Sequence, residues 1–183
     1  MKTLIVIDMQ NDFIDGALGT PEAVVIVPKV KKKIEEYRER GDFIFYTRDT
    51  HFENYLNSLE GKKLPVKHCI INSKGWQIPD ELIPRADYDR YYLVNKHTFG
   101  SEDLGRRMGA RFVWENEMTE LNEIELVGLC TDICVVSNAL ILKANFPETE
   151  ITVDASCCAG TTPENHKAAL QVMKCCQINV VGE

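Results

Sequence analysis

Six short apolar segments, separated by longer amphipathic ones, are the feature that most constrains the fold of this chain. The apolar segments predict buried β-strands at Thr3–Asp8, Asp42–Thr47, Tyr91–Lys96, Glu123–Leu129, Glu150–Asp154 and Gln177–Val181. The intervening segments predict helices at Pro28–Arg40, Glu102–Met108, Ile133–Asn145 and Pro163–Cys175. Strands that alternate with helices favour crossover connections and a parallel sheet. We therefore predict an α/β fold with a six-stranded, mostly parallel sheet.

Size and charge limit the classes of function. The chain has 183 residues, of which 44% are hydrophobic and 27% charged, so we expect one domain spanning residues 1–183. The formal net charge is −7, and the basic residues are dispersed, which argues against nucleic acid or an anionic membrane as a partner. The apolar run Leu4–Ile7 is too short for a signal peptide or a membrane span. We therefore expect a cytoplasmic protein, in which seven cysteines without a C-x-x-C motif remain reduced thiols.

Local signals predict where some elements begin and end. Pro28 is expected near the start of the first long helix, and Gly41 marks its end. Thr161 followed by Glu164 suggests a capping box at the start of the last helix. The segment Thr50–Arg90 has little periodicity, which predicts either a functional lid or binding segment, or a short helix within it.

Polar residues collect where the predicted strands end. Asp8 ends the first strand, Asp49 and His51 follow the second, Lys96 ends the third, and Cys134 begins the helix after the fourth. In open parallel sheets, ligands bind beyond the carboxyl ends of the strands. An acid, a base, a thiol and possible metal ligands are therefore expected to converge. The glycine-rich motifs of dinucleotide and nucleoside triphosphate binding do not occur in the sequence.

Each of these residues also has an ordinary structural interpretation. A free cysteine is often simply a small buried hydrophobe. Asp8 could cap a turn, as could Asn11 and Asp12, and Lys96 could be solvated at a strand edge. A position in the first turn of a helix favours the thiolate, however, and a Lys and an Asp are expected nearby. Together these features favour Cys134 as a nucleophile.

Three segments resemble the motifs of the isochorismatase-like cysteine hydrolase superfamily. They are Ile5–Phe13, Asn95–Ser101 and Gly128–Val135, in the order and at the separations expected of the family. The resemblance implies a three-layer α/β/α, Rossmann-like fold with Asp8, Lys96 and Cys134 as the catalytic triad. It also implies an oxyanion hole formed by the backbone amides of Cys130 and Cys134, with a cis peptide bond between Leu129 and Cys130. Members that cleave isochorismate lack the cysteine, so Cys134 implies hydrolysis of an amide or a related carbonyl compound.

A further pattern resembles the metal-binding residues of nicotinamidases within this superfamily. It comprises the segments Thr47–His51 and Lys67–Cys69. The resemblance implies one divalent ion, zinc or else iron or manganese, held by Asp49, His51 and His68. Glu60 matches an additional acidic ligand by spacing better than Glu53 does, and the alternative for His68 is a surface histidine. In the family the metal holds a pyridine nitrogen, which orients the amide of nicotinamide toward the thiol.

The expected substrate is a small amide, and the expected reaction converts nicotinamide and water to nicotinate and ammonia. Phe13 and Trp76 are predicted to form part of the pocket, although a loop tryptophan can also be ordinary packing. The chain departs from familiar nicotinamidases because Ile14–Gly19 lacks a Pro-Gly-Gly sequence and no Trp-Pro precedes the metal-region histidine. One alternative is an amidase for a ureido acid, a carbamoyl compound or another small amide. The other is a non-catalytic thiol-sensing domain. As in relatives, a homo-oligomer is expected.

Overall fold

The computed structural model describes residues 2–83, 92–114 and 121–183. Its strands are β1 Lys2–Ile7, β2 Phe43–Asp49, β3 Tyr92–Lys96, β4 Glu123–Leu129, β5 Glu150–Ala159 and β6 Asn179–Val181. Its α-helices are α1 Asn11–Ile14, α2 Pro21–Arg40, α3 Leu59–Lys63, α4 Glu102–Trp114, α5 Val136–Asn145 and α6 Pro163–Cys175. A short 3₁₀ turn covers Tyr55–Asn57, and a π-helical turn covers Thr131–Val135. Two parts of the predictions lie outside the described residues: residues 84–90 of the long aperiodic segment, and residue 91, the first of the predicted third strand.

All described strands form one sheet in the order β3-β2-β1-β4-β5-β6. Every neighbouring pair is parallel, which confirms the predicted α/β class and strand number. The order reverses between β1 and β4, since the chain moves outward to β3 and then returns past β1. Such a reversal opens a crevice beyond the carboxyl ends of the two central strands, where ligands of doubly wound folds bind.

Helices cover both faces of the sheet and make it three-layered. Alternate residues of β1 point to opposite faces: Leu4 and Val6 join the core beneath α1 and α2, whereas Ile5 and Ile7 join the core beneath α4, α5 and α6. All four side chains are fully buried. A central strand covered on both faces needs a continuous apolar run, which is why the run predicted this strand so clearly.

Helix α2 begins two turns earlier than the sequence pattern predicts. The hydroxyl of Thr20 accepts the backbone N–H of Ala23 at 3.1 Å, and Pro21 occupies the first helical position. Pro28 therefore lies inside the helix, where its ring is exposed to solvent. The prediction that Pro28 starts the helix is wrong because two prolines were available and only Pro21 follows a capping residue.

The predicted capping box before α6 is also wrong. The hydroxyl of Thr162 caps the helix by accepting the N–H of Asn165 at 3.1 Å. The neighbouring Thr161 donates its hydroxyl to Asp132 Oδ2 at 2.5 Å and so ties the π-helical turn to the end of β5. In the aperiodic segment after β2, α3 and the 3₁₀ turn confirm the alternative of a short hidden helix.

The seven cysteines are unpaired thiols in this structure. Among the described residues, no helix is long and apolar enough to cross a membrane.

Candidate active site

Asp8, Lys96 and Cys134 meet at the carboxyl end of the sheet. Lys96 Nζ lies 2.6 Å from Asp8 Oδ2 and 3.4 Å from Cys134 Sγ. The residues are 0%, 3% and 4% exposed, respectively, so the alternative of a solvated Lys96 at a strand edge is wrong. An acid, an amine and a thiol in contact beneath the surface form a group that can move protons without exchanging them with bulk water.

The first two members of this group are placed by β1 and β3, which lie on either side of β2 in the sheet. Asp8 follows β1 with a φ of 46°, a conformation that turns the chain sharply. Its Oδ1 accepts the hydroxyl of Thr47 at 2.7 Å, and its backbone N–H donates to the same hydroxyl at 3.2 Å. Lys96 ends β3 in register with Asp49 at the end of β2. The sheet register therefore brings both side chains to one edge.

Cys134 lies in the π-helical turn before α5, which the sequence pattern predicts as ordinary helix. Asn138, one turn later, is fully buried and donates its amide to the carbonyls of Cys134 and Phe99 at 2.8 and 3.1 Å. Its side-chain oxygen accepts the N–H of Ser101 at 3.0 Å. Asn138 thus ties the cysteine turn to the segment after Lys96. Its role was not predicted from the sequence, although an amide on the buried face of an apolar helix was an available signal.

The turn that precedes Cys134 begins at Cys130, the other residue whose backbone N–H is expected in the oxyanion hole. The peptide bond between Leu129 and Cys130 is cis, as the family resemblance implies. The carbonyl of Cys130 accepts the N–H groups of Ile133 and Val135, both at 3.1 Å. Cys130 and Cys134 both line the cavity described below.

Burial dominates the electrostatics of the three residues. It raises the pKa of the Cys134 thiol well above its usual value, and the nearby Asp8 carboxylate raises it further, against the opposing effect of Lys96. Burial therefore opposes the helix start, which favours the thiolate. Burial also raises the pKa of Asp8, with Lys96 offsetting part of the effect. For Lys96, burial lowers the pKa, but the charges of the Asp8 and Asp49 carboxylates outweigh it and the net shift is upward.

A second cluster of ligand-type side chains adjoins the first. Asp49, His51, Glu60 and His68 each offer one atom, and these atoms lie within 4.8 Å of one another. Asp49 Oδ2 lies 2.9 Å from His51 Nε2 and 3.5 Å from His68 Nε2. Glu60 Oε1 lies 3.6 Å from His51 Nε2 and 4.0 Å from His68 Nε2. We call these four residues the metal group.

The chemistry of the metal group fits a divalent cation. His51 Nε2 is buried and makes no hydrogen bond of acceptable geometry, although it approaches Asp49. Nδ1 of His68 lies 2.8 Å from the carbonyl of Val66, which can only accept, so the ring donates there and leaves Nε2 as the lone-pair nitrogen. His68 is 3% exposed, so the alternative of a surface histidine is wrong. Two imidazoles and two carboxylates are ligands that zinc, iron and manganese all accept.

Of the two acidic candidates for the metal group, the geometry selects Glu60. Glu53 forms an exposed ion pair with Lys67, at 2.9 Å. Helix α3, which the sequence pattern does not resolve, carries Glu60 toward the histidines. Lys96 links the metal group to the cysteine, because its Nζ also lies 3.6 Å from Asp49 Oδ1.

A cavity of about 700 Å³ opens onto both groups. Its lining includes Cys130 and Cys134 as well as Asp49, Glu60 and His68. Its apolar walls include Phe13, Leu18, Leu59, Leu64, Phe99, Leu129 and Ile133. A cavity of this size and mixed polarity suits a small organic molecule with a few fixed polar groups.

The two residues predicted to bind substrate differ in placement. Phe13 lines the cavity, and its ring centroid lies 5.5 Å from that of His68. Trp76 is not among the described residues that line it. Its indole N–H donates to the Thr50 hydroxyl at 2.8 Å, and the guanidinium of Arg48 lies 3.6 Å over its ring. These contacts match the alternative of ordinary packing, and a role for Trp76 in substrate binding stays a prediction.

The chain is similar to known proteins over nearly its whole length. The model of the isochorismatase domain family matches residues 2–182. The nicotinamidase of Schizosaccharomyces pombe is 24% identical over 211 aligned positions, covering 98% of this chain and 92% of that protein. The crystal structure of the Pyrococcus horikoshii pyrazinamidase in complex with zinc has a TM-score of 0.82 and 27% identity, over 100% of this chain and 99% of that one. The N-carbamoylsarcosine amidase of Thermoplasma acidophilum has a TM-score of 0.74 and 26% identity, over 98% and 94%.

Proposed function

Because this chain belongs to the isochorismatase domain family, we propose that it is a cysteine-dependent amidohydrolase that converts nicotinamide and water to nicotinate and ammonia. The observation that carries the proposal is the contact of Lys96 with Asp8, Cys134 and Asp49, at 2.6, 3.4 and 3.6 Å. Cys134 and three members of the metal group, Asp49, Glu60 and His68, line one cavity, and Lys96 connects them to Asp8. The nicotinamidase of S. pombe and the pyrazinamidase of P. horikoshii, to which the chain is similar, support the same class of substrate.

In the proposed reaction, Asp8 accepts the thiol proton as Cys134 Sγ attacks the amide carbonyl. Its raised pKa suits a carboxylate that must hold this proton. The tetrahedral intermediate collapses as Asp8 passes the proton to the departing nitrogen, which leaves as ammonia and gives a thioester. Water, deprotonated by Asp8, then attacks the thioester and releases the carboxylic acid and the free thiol. Lys96 holds the Asp8 carboxylate in place and stabilises negative charge on sulfur.

The oxyanion is proposed to lie against the backbone N–H groups of Cys130 and Cys134. One such donor is typically worth about 2.7 to 4 kcal/mol in the transition state. Both residues line the cavity, and the cysteine turn is fixed by the side-chain amide of Asn138. Donors that are already in place need no reorganisation when charge develops on the carbonyl oxygen.

Asp49, His51, Glu60 and His68 are proposed to hold one divalent ion, with zinc first and iron or manganese as alternatives. When bound there, the ion would supply a Lewis acid that holds a ring nitrogen of the substrate. Two observations support this assignment. Nε2 of His51 is buried without a hydrogen bond of acceptable geometry, and the contact of His68 Nδ1 with the Val66 carbonyl leaves Nε2 of His68 with a lone pair. Positioning of this kind raises the rate by fixing the reacting carbonyl near the sulfur. Phe13, on the cavity wall, is proposed to pack against the substrate ring.

A second candidate function is hydrolysis of a carbamoyl compound. The likeness to the N-carbamoylsarcosine amidase of T. acidophilum favours it, and the proposed Cys134 chemistry would serve it equally well. The metal group distinguishes the two, because a carbamoyl substrate has no pyridine nitrogen to bind. A purely thiol-sensing domain would have no use for the buried Asp8–Lys96 pair.

The test is release of ammonia from nicotinamide by the purified full-length protein. We expect turnover by the unmodified protein and none by Cys134→Ala, because the alanine cannot form the thioester. Cys175→Ala is the matched control, since Cys175 is an exposed thiol at the end of α6, and it should keep the full rate. Ammonia from N-carbamoylsarcosine but not from nicotinamide would select the second function. No ammonia from either substrate would contradict both.

A further inference from the structure

The side chain of Gln10 makes three hydrogen bonds, two of which hold the backbone of a proposed metal ligand. Its Oε1 accepts the N–H of Asp49 at 2.7 Å, and its Nε2 donates to the carbonyl of Asp49 at 2.9 Å. The same Nε2 donates to the carbonyl of Trp76 at 2.9 Å. Gln10 is fully buried. An amide that pairs with both backbone groups of one residue fixes the position of that residue as well as stabilising it.

Asp12 holds the segment that carries the histidines. Its Oδ2 accepts the N–H of Cys69 at 2.7 Å, next to His68. The carbonyl of Cys69 in turn accepts the N–H of His51 at 2.9 Å, and the carbonyl of His51 accepts the N–H of Ile71 at 2.8 Å. One carboxylate therefore anchors the short bridge on which both histidine-bearing segments depend.

Both side chains leave the same short turn that begins at Asp8. The N–H of Gln10 donates to the carbonyl of Asp8 at 2.7 Å, which closes the turn directly after β1. The side chain of Asp12 fits closely against Gly75, where an added Cβ would lie 2.0 Å from Asp12 Oδ2. The five consecutive residues 8–12 thus carry the proposed catalytic carboxylate and two anchors, Gln10 and Asp12, which bind backbone groups 39 and 57 positions away in the sequence.

We propose that Gln10 and Asp12 are positioning residues for the metal group, acting through the backbones of Asp49, Cys69 and His51. Neither residue supplies a ligand atom to the metal group; each sets where the ligand atoms stand. The turn after β1 therefore serves the catalytic group through Asp8 and the metal group through Gln10 and Asp12. This inference rests on the proposed function in one respect, namely that the metal group binds an ion.

The experiment measures zinc binding by the metal-free full-length protein in competition with a chromogenic chelator. Gln10→Met keeps the length of the side chain but loses all three hydrogen bonds, and Asp12→Ala removes the anchor of Cys69. We expect each variant to bind zinc at least about tenfold more weakly, the scale at which outer partners of metal ligands act. Where either variant fails to fold, Gln10→Asn or Asp12→Asn, which are milder changes, replaces it.

Tyr37→Phe is the matched control for loss of a buried hydrogen bond. The Tyr37 hydroxyl donates to Glu125 Oε2 at 2.6 Å on the α2 face of the sheet. Substitution of a merely structural Gln10 would lower the thermal midpoint of the metal-free protein, as is expected of Tyr37→Phe, and leave the zinc affinity of the folded protein unchanged. A second readout is the rate at which iodoacetamide alkylates Cys134 in the metal-free protein. That rate should stay within about twofold of the parent, because the anchors act on the metal group.

The outcomes separate this inference from the proposed function. Zinc binding by the parent that weakens in both anchor variants but not in Tyr37→Phe supports the positioning role. Zinc affinity that is equal in parent and anchor variants overturns it while leaving the metal group intact. A parent protein that binds no zinc, iron or manganese overturns the inference together with the proposed metal site, even if nicotinamide is hydrolysed.

Discussion

Lys96 is the residue on which the two halves of the site depend. Its ammonium lies between the carboxylates of Asp8 and Asp49 and also contacts the thiol of Cys134. The positive charge offsets the repulsion between the two buried carboxylates and stabilises the thiolate as it forms. Loss of this charge should therefore lower turnover and also destabilise the fold, because it leaves the buried carboxylates of Asp8 and Asp49 without their cation.

We predict that Lys96→Met and Asp8→Asn each lower nicotinamide turnover by about a hundredfold to ten-thousandfold, the usual contribution of acid–base catalysis. Asparagine cannot accept the thiol proton, and methionine cannot stabilise the thiolate. Steady-state ammonia release checks the rates. Lys29→Met, which removes an exposed lysine from α2, is the control and should keep the parent rate. A near-normal rate in Asp8→Asn would mean that another group takes the proton.

The sequence predicted the members of the site better than it predicted their supports. Asp8 and Lys96 could be identified because they end strands of a parallel sheet, and strand ends meet at one edge. The roles of Gln10 and Asn138 could not be identified, because each has a hydrogen-bond partner 39 positions away in the sequence: Asp49 for Gln10 and Phe99 for Asn138. A local pattern contains no information about such partners. The upward shift in the pKa of Cys134 could not be predicted either, since burial of its sulfur depends on the assembled fold.

Among the elements, α6 depends on a single capping side chain at its exposed start. We predict that Thr162→Ala lowers the free energy of unfolding by about 1 kcal/mol, because the N–H of Asn165 loses its acceptor. Urea denaturation monitored by circular dichroism measures the change. Thr162→Ser is the matched control, since it keeps the hydroxyl, and it should lose less than about 0.5 kcal/mol. Equal losses in the two variants would show that the methyl group, rather than the cap, stabilises the helix.

Element boundaries were predicted well where the local signal is unambiguous. The predicted bounds of β4 and α6 agree with the structure at both ends. Strand β5 continues five residues beyond the predicted Asp154, through Ser156 and two cysteines to Ala159. Small residues with little β propensity give no strand signal, and here pairing of Cys158 and Ala159 with β4 extends the strand. Tertiary pairing therefore overrides local preference.

At the scale of the whole molecule, one sheet supports a core on each face, and we propose that the chain is a single domain. Strands β1 and β4 contribute to both cores. The order of the strands could not be read from the sequence alone, because the pattern of apolar runs does not state which strands are neighbours. The family resemblance supplied the three-layer architecture that the apolar pattern left open.

A charged cluster remote from the site joins α2 to two central strands. Lys33 Nζ lies 2.8 Å from Glu125 Oε1 on β4 and 2.8 Å from Asp154 Oδ2 on β5. Its side chain is 20% exposed, and each carboxylate side chain is 10% exposed. Burial raises the pKa of Asp154, but hydrogen bonds from Lys33 and Ser156 outweigh it and the net shift is downward. A carboxyl whose pKa is lowered by folding stabilises the folded state at neutral pH, and this contribution is lost as the pH falls through the folded pKa.

We therefore predict that Lys33→Met lowers the free energy of unfolding at neutral pH by roughly 2 to 3 kcal/mol, since it leaves two mostly buried carboxylates without their cation. The difference from the parent should shrink as the pH falls below the ordinary Asp value of 3.8, because protonation then removes the charges that Lys33 compensates. Urea denaturation of the metal-free proteins across this pH range measures both effects. Lys32→Met is the control: its side chain is 78% exposed and its pairing with Glu36 at 3.9 Å lies at the surface, so it should change stability by less than about 0.5 kcal/mol. A difference between Lys33→Met and the parent that is independent of pH would show that the lysine acts through the packing of its carbon chain, with no part played by its charge.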